Sequence, residues 1–332
     1  GVTPSIAGHF FHEVSMKTPI IFDTDPGVDD AQAIAICLAH PDIEFLGMTT
    51  TFGNVTIETA TSNALLLGEL AGQEIPVAQG AAQPLVKDKF PAPAHIHGAN
   101  GLGNMEIPEP KGKALSISAP QFIVEQVNAR PGEITLVAVG PLGNLATALQ
   151  LDPSIISKVK QVVIMGGSIR EGGNVSPVAE ANIFNDPHAA AKVLTAGWPL
   201  TMVGLDATHR CVLSPAHVER IRVAQGALGE VLSGSYQFYK AFYQEARGID
   251  GCCPHDSCAL AWLMKPELFT TERGHLNVEV EGLAEGQTLF APEGREFLGN
   301  QWSQTPLVDV CVNAQGDKVV EWITDVLTAK AS

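Results

Sequence analysis

Four aspartates lie within eight residues near the start of the chain, in segment 23–30, which reads D-T-D-P-G-V-D-D. Helix N-terminal amides accommodate one or two carboxylates, at about 0.3–1 kcal/mol each, but they do not neutralise four. In the simplest alternative, Asp29 and Asp30 cap a helix while Asp23 and Asp25 are solvated. A bound cation accounts better for so much like charge, so we expect a metal site here.

The ligand chemistry of this segment favours a hard cation. It offers oxygen atoms and no nearby Cys or His, which favours calcium or magnesium over zinc. The segment is not an EF-hand, whose loop needs Gly at its sixth position and Glu at its twelfth. Counted from Asp23, those positions hold Val28 and Ile34. The remaining ligands must therefore come from elsewhere in the chain.

An apolar strand followed by D-x-D also resembles the haloacid dehalogenase-type phosphatases. In that alternative Asp23 is the nucleophile and magnesium is the cofactor. Those enzymes need a downstream Lys and an acidic pair after a later apolar strand, and the sequence shows no convincing late pair. Pro26-Gly27 followed by two more aspartates is also not their usual continuation.

The overall charge argues against a nucleic-acid-binding protein. The chain has 332 residues, with 20 Lys and Arg against 36 Asp and Glu, giving a net charge of −16. Such a charge repels a phosphate backbone, whereas a small-molecule or cation site fits it. With 45% hydrophobic and 17% charged residues, the chain is expected to bury a large core.

Cysteine usage and hydropathy indicate the setting of the protein. The six scattered cysteines show no C-x-x-C pair, so we expect reduced thiols rather than a disulfide scaffold. No apolar run approaches the roughly 18 residues that a membrane span needs. We therefore predict a cytoplasmic protein without a membrane segment. Residues 1–15 precede a plausible initiator Met16 and are expected to be a cloning remnant or a disordered N-terminus.

Short apolar runs alternate with helical patterns from Pro19 onward. This alternation predicts a single α/β domain over residues 16–330, with a mostly parallel, doubly wound sheet covered by helices on both faces. The predicted strands are 20–22, 43–51, 77–78, 134–139, 161–165, 200–205, 276–280 and 307–312. The predicted helices are 31–39, 57–71, 120–128, 142–149, 187–196, 232–246 and 319–327.

The ligand site of such a sheet lies beyond the carboxyl ends of its strands. Several positions just after the predicted strands are polar, and the aspartate segment is one of them. The Gly- and Pro-rich stretch 79–112 is too long for an ordinary connection, so we expect an active-site loop or lid there.

Eight motifs, in family order, resemble the nucleoside hydrolases, the inosine-uridine preferring nucleoside N-ribohydrolase family. They cover roughly residues 19–263. The motifs are P-I-I-F-D-T-D-P-G-V-D-D-A at 19–31, T-F-G-N at 51–54, H-G-A-N-G-L-G at 97–103, V-G-P-L-G-N-L-A at 139–146, M-G-G at 165–167, G-N-V-S-P-V-A-E-A-N at 173–182, D-P-H-A-A at 186–190 and H-D-S-C-A at 255–259.

The resemblance implies a calcium ion and a ribonucleoside substrate. It implies calcium ligands at Asp25, Asp30, Asp256 and the backbone carbonyl of Val139, with a calcium-bound water as the nucleophile. Asp25 would act as the general base, and Asp23 would be a supporting residue. The expected reaction is hydrolysis of the N-glycosidic bond to free ribose and a nucleobase, through an oxocarbenium-like transition state.

The resemblance also implies which residues hold the ribose. Asp29, Asn54 and Asn182 would bind its 2′ and 3′ hydroxyls. Asn174, Glu180 and the main chain at Met165 would bind its 5′ side.

On the base side, His255 is expected to be the acid that assists the leaving base. His97 resembles a base-side histidine, whereas His95 and His209 have no motif support and are expected to be structural. Tyr239 and Tyr243 lie four residues apart on a predicted helix, so one face can meet the base; a core role for at least one is equally compatible. Gln237 beside these tyrosines favours pyrimidines slightly.

One position departs from the family pattern. Members usually carry an aromatic residue between the Glu and Asn of the A-E-x-N block, whereas this chain has Ala181. A smaller pocket wall leaves open how the 5′ side and the base are packed. It also gives some support to a catalytically weakened nucleoside-binding protein as an alternative. By resemblance, the chain is expected to form a homodimer or homotetramer.

Overall fold

The strands are short runs rich in apolar residues that join into one sheet in the computed structural model, which describes residues 16–329. The prediction for residues 1–15 lies outside the described residues. The sheet order is β3-β2-β1-β4-β5-β6-β9-β7-β8. The strands are β1 (Thr18–Thr24), β2 (Ile43–Thr50), β3 (Val77–Gln79), β4 (Thr135–Ala138), β5 (Gln161–Met165), β6 (Leu200–Val203), β7 (Phe269–Val278), β8 (Thr288–Pro292) and β9 (Leu307–Ala314).

The seven strands β3, β2, β1, β4, β5, β6 and β9 are neighbours in the sheet and pair in parallel. Strand β7 pairs antiparallel with both β9 and β8. The helices are α1 (Val28–Ala39), α2 (Ile57–Leu70), α3 (Ala94–His97), α4 (Ala119–Ala129), α5 (Gly143–Leu151), α6 (Ala181–Asn185), α7 (Pro187–Leu194), α8 (Leu205–Thr208), α9 (Pro215–Ala224), α10 (Gly226–Arg247), α11 (His255–Met264) and α12 (Gly316–Thr328).

The sheet is covered on both faces because its strands are apolar on both. Ile20 and Phe22 of β1 pack into one buried cluster, and Ile21 between them packs into another. Side chains alternate across a strand, so the two clusters lie on opposite faces. The prediction of a mostly parallel, doubly wound α/β sheet is confirmed.

Several boundaries differ from those predicted. Helix α1 begins at Val28 rather than Ala31, because the Asp30 side chain accepts a hydrogen bond from the Gly27 backbone N–H (3.2 Å) and satisfies a donor of the first turn. Strand β7 begins at Phe269 and pairs with β8, which hydropathy did not reveal. Both lie at the antiparallel edge, where half-buried strands give a weaker signal.

The cysteines and the hydropathy of the helices can be compared with the sequence analysis. All six cysteines are buried and free of disulfides. Within residues 16–329, no helix is both long and apolar enough to span a bilayer.

The site is expected to depend on the packing of β1. Phe22 lies in the middle of this strand, fully buried and adjacent to Asp23. Replacing Phe22 with Ala should lower the free energy of unfolding by about 3–5 kcal/mol, because it leaves a cavity under the sheet. Chemical denaturation measures this change. Val223→Ala, at a side chain that is 72% exposed, is the control, with an expected change within about 0.5 kcal/mol. Equal stabilities of the two variants would contradict the expectation.

Candidate active site

The aspartates of segment 23–30 meet other polar groups at the carboxyl edge of the sheet. Asp25 follows β1, and Asp29 and Asp30 occupy the first turn of α1. Val139 follows β4, and Asp256 lies in the first turn of α11. Helix N-termini favour negative charge, so two of them face the same group of carboxylates. These residues therefore lie just beyond the ends of β1 and β4, where a ligand site was expected.

Three carboxylates form a compact buried cluster. Ligand oxygens of Asp29, Asp30 and Asp256 all lie within 4.8 Å of one another. Asp30 accepts hydrogen bonds from Thr24 Oγ1 at 2.7 Å and Asn54 Nδ2 at 2.9 Å. Like charges this close need a counter-charge, and oxygen-only donors of this kind fit a hard divalent cation. The cluster can therefore hold a metal ion.

Asp25 adjoins this cluster and has a free oxygen. Its side chain is 1% exposed. Its Oδ2 accepts a hydrogen bond from the backbone N–H of Asn54 (2.8 Å), whereas Oδ1 has no hydrogen-bond partner among the described residues. A buried carboxylate oxygen without a partner is costly, so this atom is available to a cation, a water or a substrate hydroxyl.

Burial perturbs the ionisation of all these carboxyls. Burial and the neighbouring Asp30 raise the pKa of Asp25 and of Asp29 well above the usual range. Burial and the neighbouring Asp29 and Asp30 do the same to the pKa of Asp256. Perturbation by desolvation together with specific charges is typical of functional sites.

Asp23 is buried and held by two side chains. Its Oδ2 accepts hydrogen bonds from Thr49 Oγ1 (2.6 Å) and Asn144 Nδ2 (2.8 Å). Burial raises the pKa of Asp23 to about 7. Asp23 and Asp25 are both buried, so the alternative in which these two aspartates are merely solvated is wrong.

A cavity of about 480 Å³ opens next to the carboxylates, within the usual range of small-molecule sites. Many of the predicted site residues line it. These are Asn54, His97, Val139, Met165, Asn174, Glu180, Asn182, Tyr239, Tyr243, His255 and Asp256. Asp25, Asp29 and Asp30 lie behind this lining, in contact with it through Asn54 and Asp256.

Asn182 and Glu180 are fixed at the start of α6. Asn182 Nδ2 donates to the carbonyl oxygens of Val139 (2.9 Å) and Met165 (3.0 Å). The Glu180 carboxylate accepts hydrogen bonds from the backbone N–H groups of Gly167, Asn182 and Ile183. Burial raises the pKa of Glu180 to about 7. Both side chains therefore reach the cavity with their orientation already set.

His97 has a defined tautomer. Its Nδ1 accepts a hydrogen bond from the backbone N–H of Val28 (3.0 Å), at the start of α1. Burial lowers the pKa of His97 to about 3, so the ring is neutral. Because Nδ1 is the acceptor, Nε2 must carry the proton. The ring stacks on Tyr239, with centroids 5.1 Å apart, and Nε2–H is its only donor.

His255 is linked to Tyr243. His255 Nδ1 lies 2.7 Å from Thr208 Oγ1, and Nε2 lies 2.7 Å from the Tyr243 hydroxyl. The Tyr239 hydroxyl is 3.3 Å from that of Tyr243. Burial lowers the pKa of His255 well below its usual range. Both tyrosines are buried and both line the cavity, so the core and site roles coincide.

This geometry coincides with a match to a known family. The model of the inosine-uridine preferring nucleoside hydrolases matches residues 20–321. The chain belongs to this family. A probable uridine nucleosidase 2 from Arabidopsis thaliana is 42% identical over 312 residues, covering 93% of this chain and 97% of the relative. The predicted class, a nucleoside hydrolase enzyme, is confirmed by this membership.

Solved structures of nucleoside hydrolases share the fold. A plant nucleoside hydrolase has a TM-score of 0.90 at 37% identity, covering 94% of this chain and 99% of that chain. A purine-preferring ribonucleoside hydrolase from Gardnerella vaginalis has a TM-score of 0.87 at 34% identity, covering 94% and 98%. The names of these proteins thus refer to different bases, uridine for the Arabidopsis relative and purines for the Gardnerella enzyme.

The nucleoside hydrolase cavity also contains residues that the sequence did not reveal. The additional lining residues include Phe90, Phe184, His209, Phe242 and Arg247. His209, expected to be structural, is therefore a wall residue. Its Nδ1 lies 3.2 Å from Glu171 Oε1, and Arg247 Nη1 contacts its ring.

Part of the long loop expected at the site lies beside the cavity. Phe90, Pro91, Pro93, Ile96 and His97 line it, and so does Ala181. Gln237 is exposed on α10 and does not line it, so the argument for pyrimidines from this residue is wrong. Lone residues on a helix carry no signal of which side faces a ligand until the packing is known.

Gly53 is expected to be essential for the position of Asp25. Its backbone has φ of +153°, and a Cβ atom there would collide with Asp25 Oδ2. Gly53→Ala should therefore displace the carboxylate and lower kcat/KM for nucleoside hydrolysis by roughly 100-fold, in a protein that stays folded by circular dichroism. Gly132→Ala, at a glycine with φ of +79° and no atom within 4 Å of the added Cβ, controls for backbone strain alone. Equal activity of the two variants would contradict this assignment.

Proposed function

We propose that the chain hydrolyses the N-glycosidic bond of ribonucleosides, releasing ribose and the free nucleobase, with calcium as its metal. The observation that carries this proposal is the buried carboxylate group beside a cavity whose walls offer the amides of Asn54, Asn174 and Asn182 and a histidine–tyrosine pair. A ribose needs the carboxylates and the amides, and a leaving base needs the histidine–tyrosine pair. Family membership supports the same reaction.

Asp25, Asp30, Asp256 and the Val139 carbonyl would hold the calcium, with Asp29 beside them. The cluster fits calcium because its donors are oxygens only and because Asp25 Oδ1 is buried without a partner among the described residues. When bound, the ion supplies positive charge that offsets the carboxylates and makes water a better nucleophile.

Asp25 would act as the general base. The Asn54 backbone N–H orients the carboxylate through Oδ2, so that Asp25 can accept a proton from the attacking water. A positioned base of this kind contributes about 10²–10⁴-fold. The anomeric carbon becomes positively charged as the base leaves, and the surrounding carboxylates stabilise that charge.

Amides and carboxylates would bind the ribose. Asp29, Asn54 and Asn182 would bind the 2′ and 3′ hydroxyls, close to the metal. Asn54 uses its Nδ2 on Asp30, so its Oδ1 remains an acceptor for a hydroxyl. Asn174, Glu180 and the main chain at Met165 would bind the 5′ side.

His255 and Tyr243 would assist the leaving base together. His255 Nε2 lies within hydrogen-bond distance of the Tyr243 hydroxyl, so the pair would pass a proton to the leaving base. His97 would donate Nε2–H to an acceptor atom on the base or the sugar.

Uridine is proposed as one of the substrates. The support is the Arabidopsis relative, which is named a probable uridine nucleosidase, together with the fixed donor of His97, because a pyrimidine carries carbonyl acceptors. Assembly as a homodimer or homotetramer and a cytoplasmic location stay predictions; light scattering on the purified protein tests the first.

The phosphatase alternative has no support from the site. Asp23 is buried and its Oδ2 is bonded to Thr49 and Asn144, and the family model that matches the chain is that of nucleoside hydrolases. A binding protein with weakened catalysis predicts nucleoside affinity without ribose release.

Replacing Asp25 by Asn tests the base. The amide keeps the shape but cannot take a proton, so ribose release from uridine or inosine should fall by at least about 100-fold. A reducing-sugar assay with added calcium measures it. Asp317→Asn, on the exposed surface of α12, should retain full activity. Retained turnover in the Asp25 variant would exclude Asp25 as the base.

Metal removal and pH test the cation site. Chelation should abolish ribose release, and calcium should restore it. Because burial raises the pKa of Asp25, Asp29 and Asp256, a cation must displace protons from these carboxyls. Calcium affinity should therefore rise from pH 6 to pH 8, with proton release on binding, as calorimetry in buffers of different ionisation enthalpy can measure. A pH-independent affinity would argue against binding by these carboxyls.

A further inference from the structure

One wall of the cavity is apolar and partly open to solvent. Phe90, Val175, Ala181 and Phe184 line it; we refer to these four residues as the apolar lobe. Phe90 is 54% exposed and Val175 is 47% exposed. Their side chains offer no hydrogen-bonding group, so an apolar group lodged there would gain from burial, whereas a hydroxyl would gain nothing.

Lys87 keeps the aromatic part of the lobe in place. Its Nζ donates to the carbonyl oxygen of Phe184 at 2.8 Å and lies 3.1 Å from Glu285 Oε1. The same nitrogen lies 3.8 Å from the centre of the Phe184 ring and 4.9 Å from that of Phe90. The two rings are 5.3 Å apart. The lobe is therefore a preformed surface.

The lobe adjoins the proposed site of the ribose 5′ group. Asn174 Oδ1 accepts the backbone N–H of Ala181 (3.0 Å), which places the Ala181 methyl next to the amide proposed to bind that group. Asn174 then offers its Nδ2 donors and the second lone pair of Oδ1 to the substrate. A methyl group at position 181 leaves open the space that a larger side chain would fill.

We propose that the enzyme also hydrolyses ribonucleosides whose 5′ hydroxyl is replaced by a small apolar group, such as a 5′-methylthio group, which the apolar lobe receives. This inference rests on the proposed nucleoside hydrolase function and extends its substrate class. The reaction is the same: water adds its oxygen to C1′, the C1′–N bond breaks, and the base leaves with a proton. The 5′ substituent takes no part in the bond changes.

The test compares 5′-deoxy-5′-methylthiouridine and 5′-deoxy-5′-methylthioinosine with uridine and inosine. The full chain is assayed with calcium by base release, and kcat/KM is measured for each compound. We expect the methylthio compound to reach at least one tenth of the kcat/KM of its parent. The discriminating quantity is the ratio of the two values, because it cancels losses of active protein.

Two variants change the lobe. Ala181→Phe fills it and should lower the ratio by roughly 10-fold or more, since excluding one small group from a pocket is worth about 10–200-fold. Phe90→Ala removes one exposed wall and should lower the ratio through KM. Ala224→Phe, at an exposed position at the end of α9, makes the same change as the first variant away from the cavity and should leave the ratio unchanged.

The failures are distinguishable. Turnover of uridine or inosine with methylthio compounds more than about 100-fold poorer would overturn the inference and leave the hydrolase function intact. So would a ratio that neither lobe variant changes. Lack of ribose release from every nucleoside would overturn the proposed function, and the inference with it.

Discussion

The burial of several carboxylates at one edge of a sheet is the constraint on which the rest of the site depends. Asp25, Asp29, Asp30 and Asp256 are all nearly inaccessible to solvent, and together they would repel one another. The protein answers with backbone N–H groups, the amide of Asn54 and two helix N-termini. These donors do not satisfy Asp25 Oδ1, which a proton or a cation would stabilise.

The same constraint explains why the site lies where it does. Only at the carboxyl edge of a parallel sheet do strand ends and helix N-termini converge from distant parts of the sequence. The aspartates after β1, the Val139 carbonyl after β4 and Asp256 on α11 are brought together by topology. The backbone sets the site, and the long stretch between β3 and α4 contributes its outer wall.

Sequence patterns predicted the parallel part of the fold, and the family resemblance pointed to many of the residues that line the cavity. Alternating apolar runs predict the order of strands and helices. The four aspartates of segment 23–30 indicate a need for positive charge. What the patterns could not give depends on packing. Phe90 and Phe184 are distant in sequence and meet only in the folded chain, where Lys87 lies over both rings. His209 lies in no motif, and the sequence does not show that Gln237 faces solvent on α10 whereas Tyr239 is buried. Both facts depend on how the helices pack.

The hydrogen bond from the Val28 N–H to His97 joins the cavity wall to the helix that carries Asp29 and Asp30. A wall movement that withdraws His97 leaves a first-turn N–H of α1 without its acceptor, at the end of the helix that faces the carboxylates. The position of His97 in the wall and the first turn of α1 are therefore energetically coupled through this hydrogen bond. If a nucleoside binds at this wall and a cation at this turn, any effect that one has on the affinity for the other must be reciprocal.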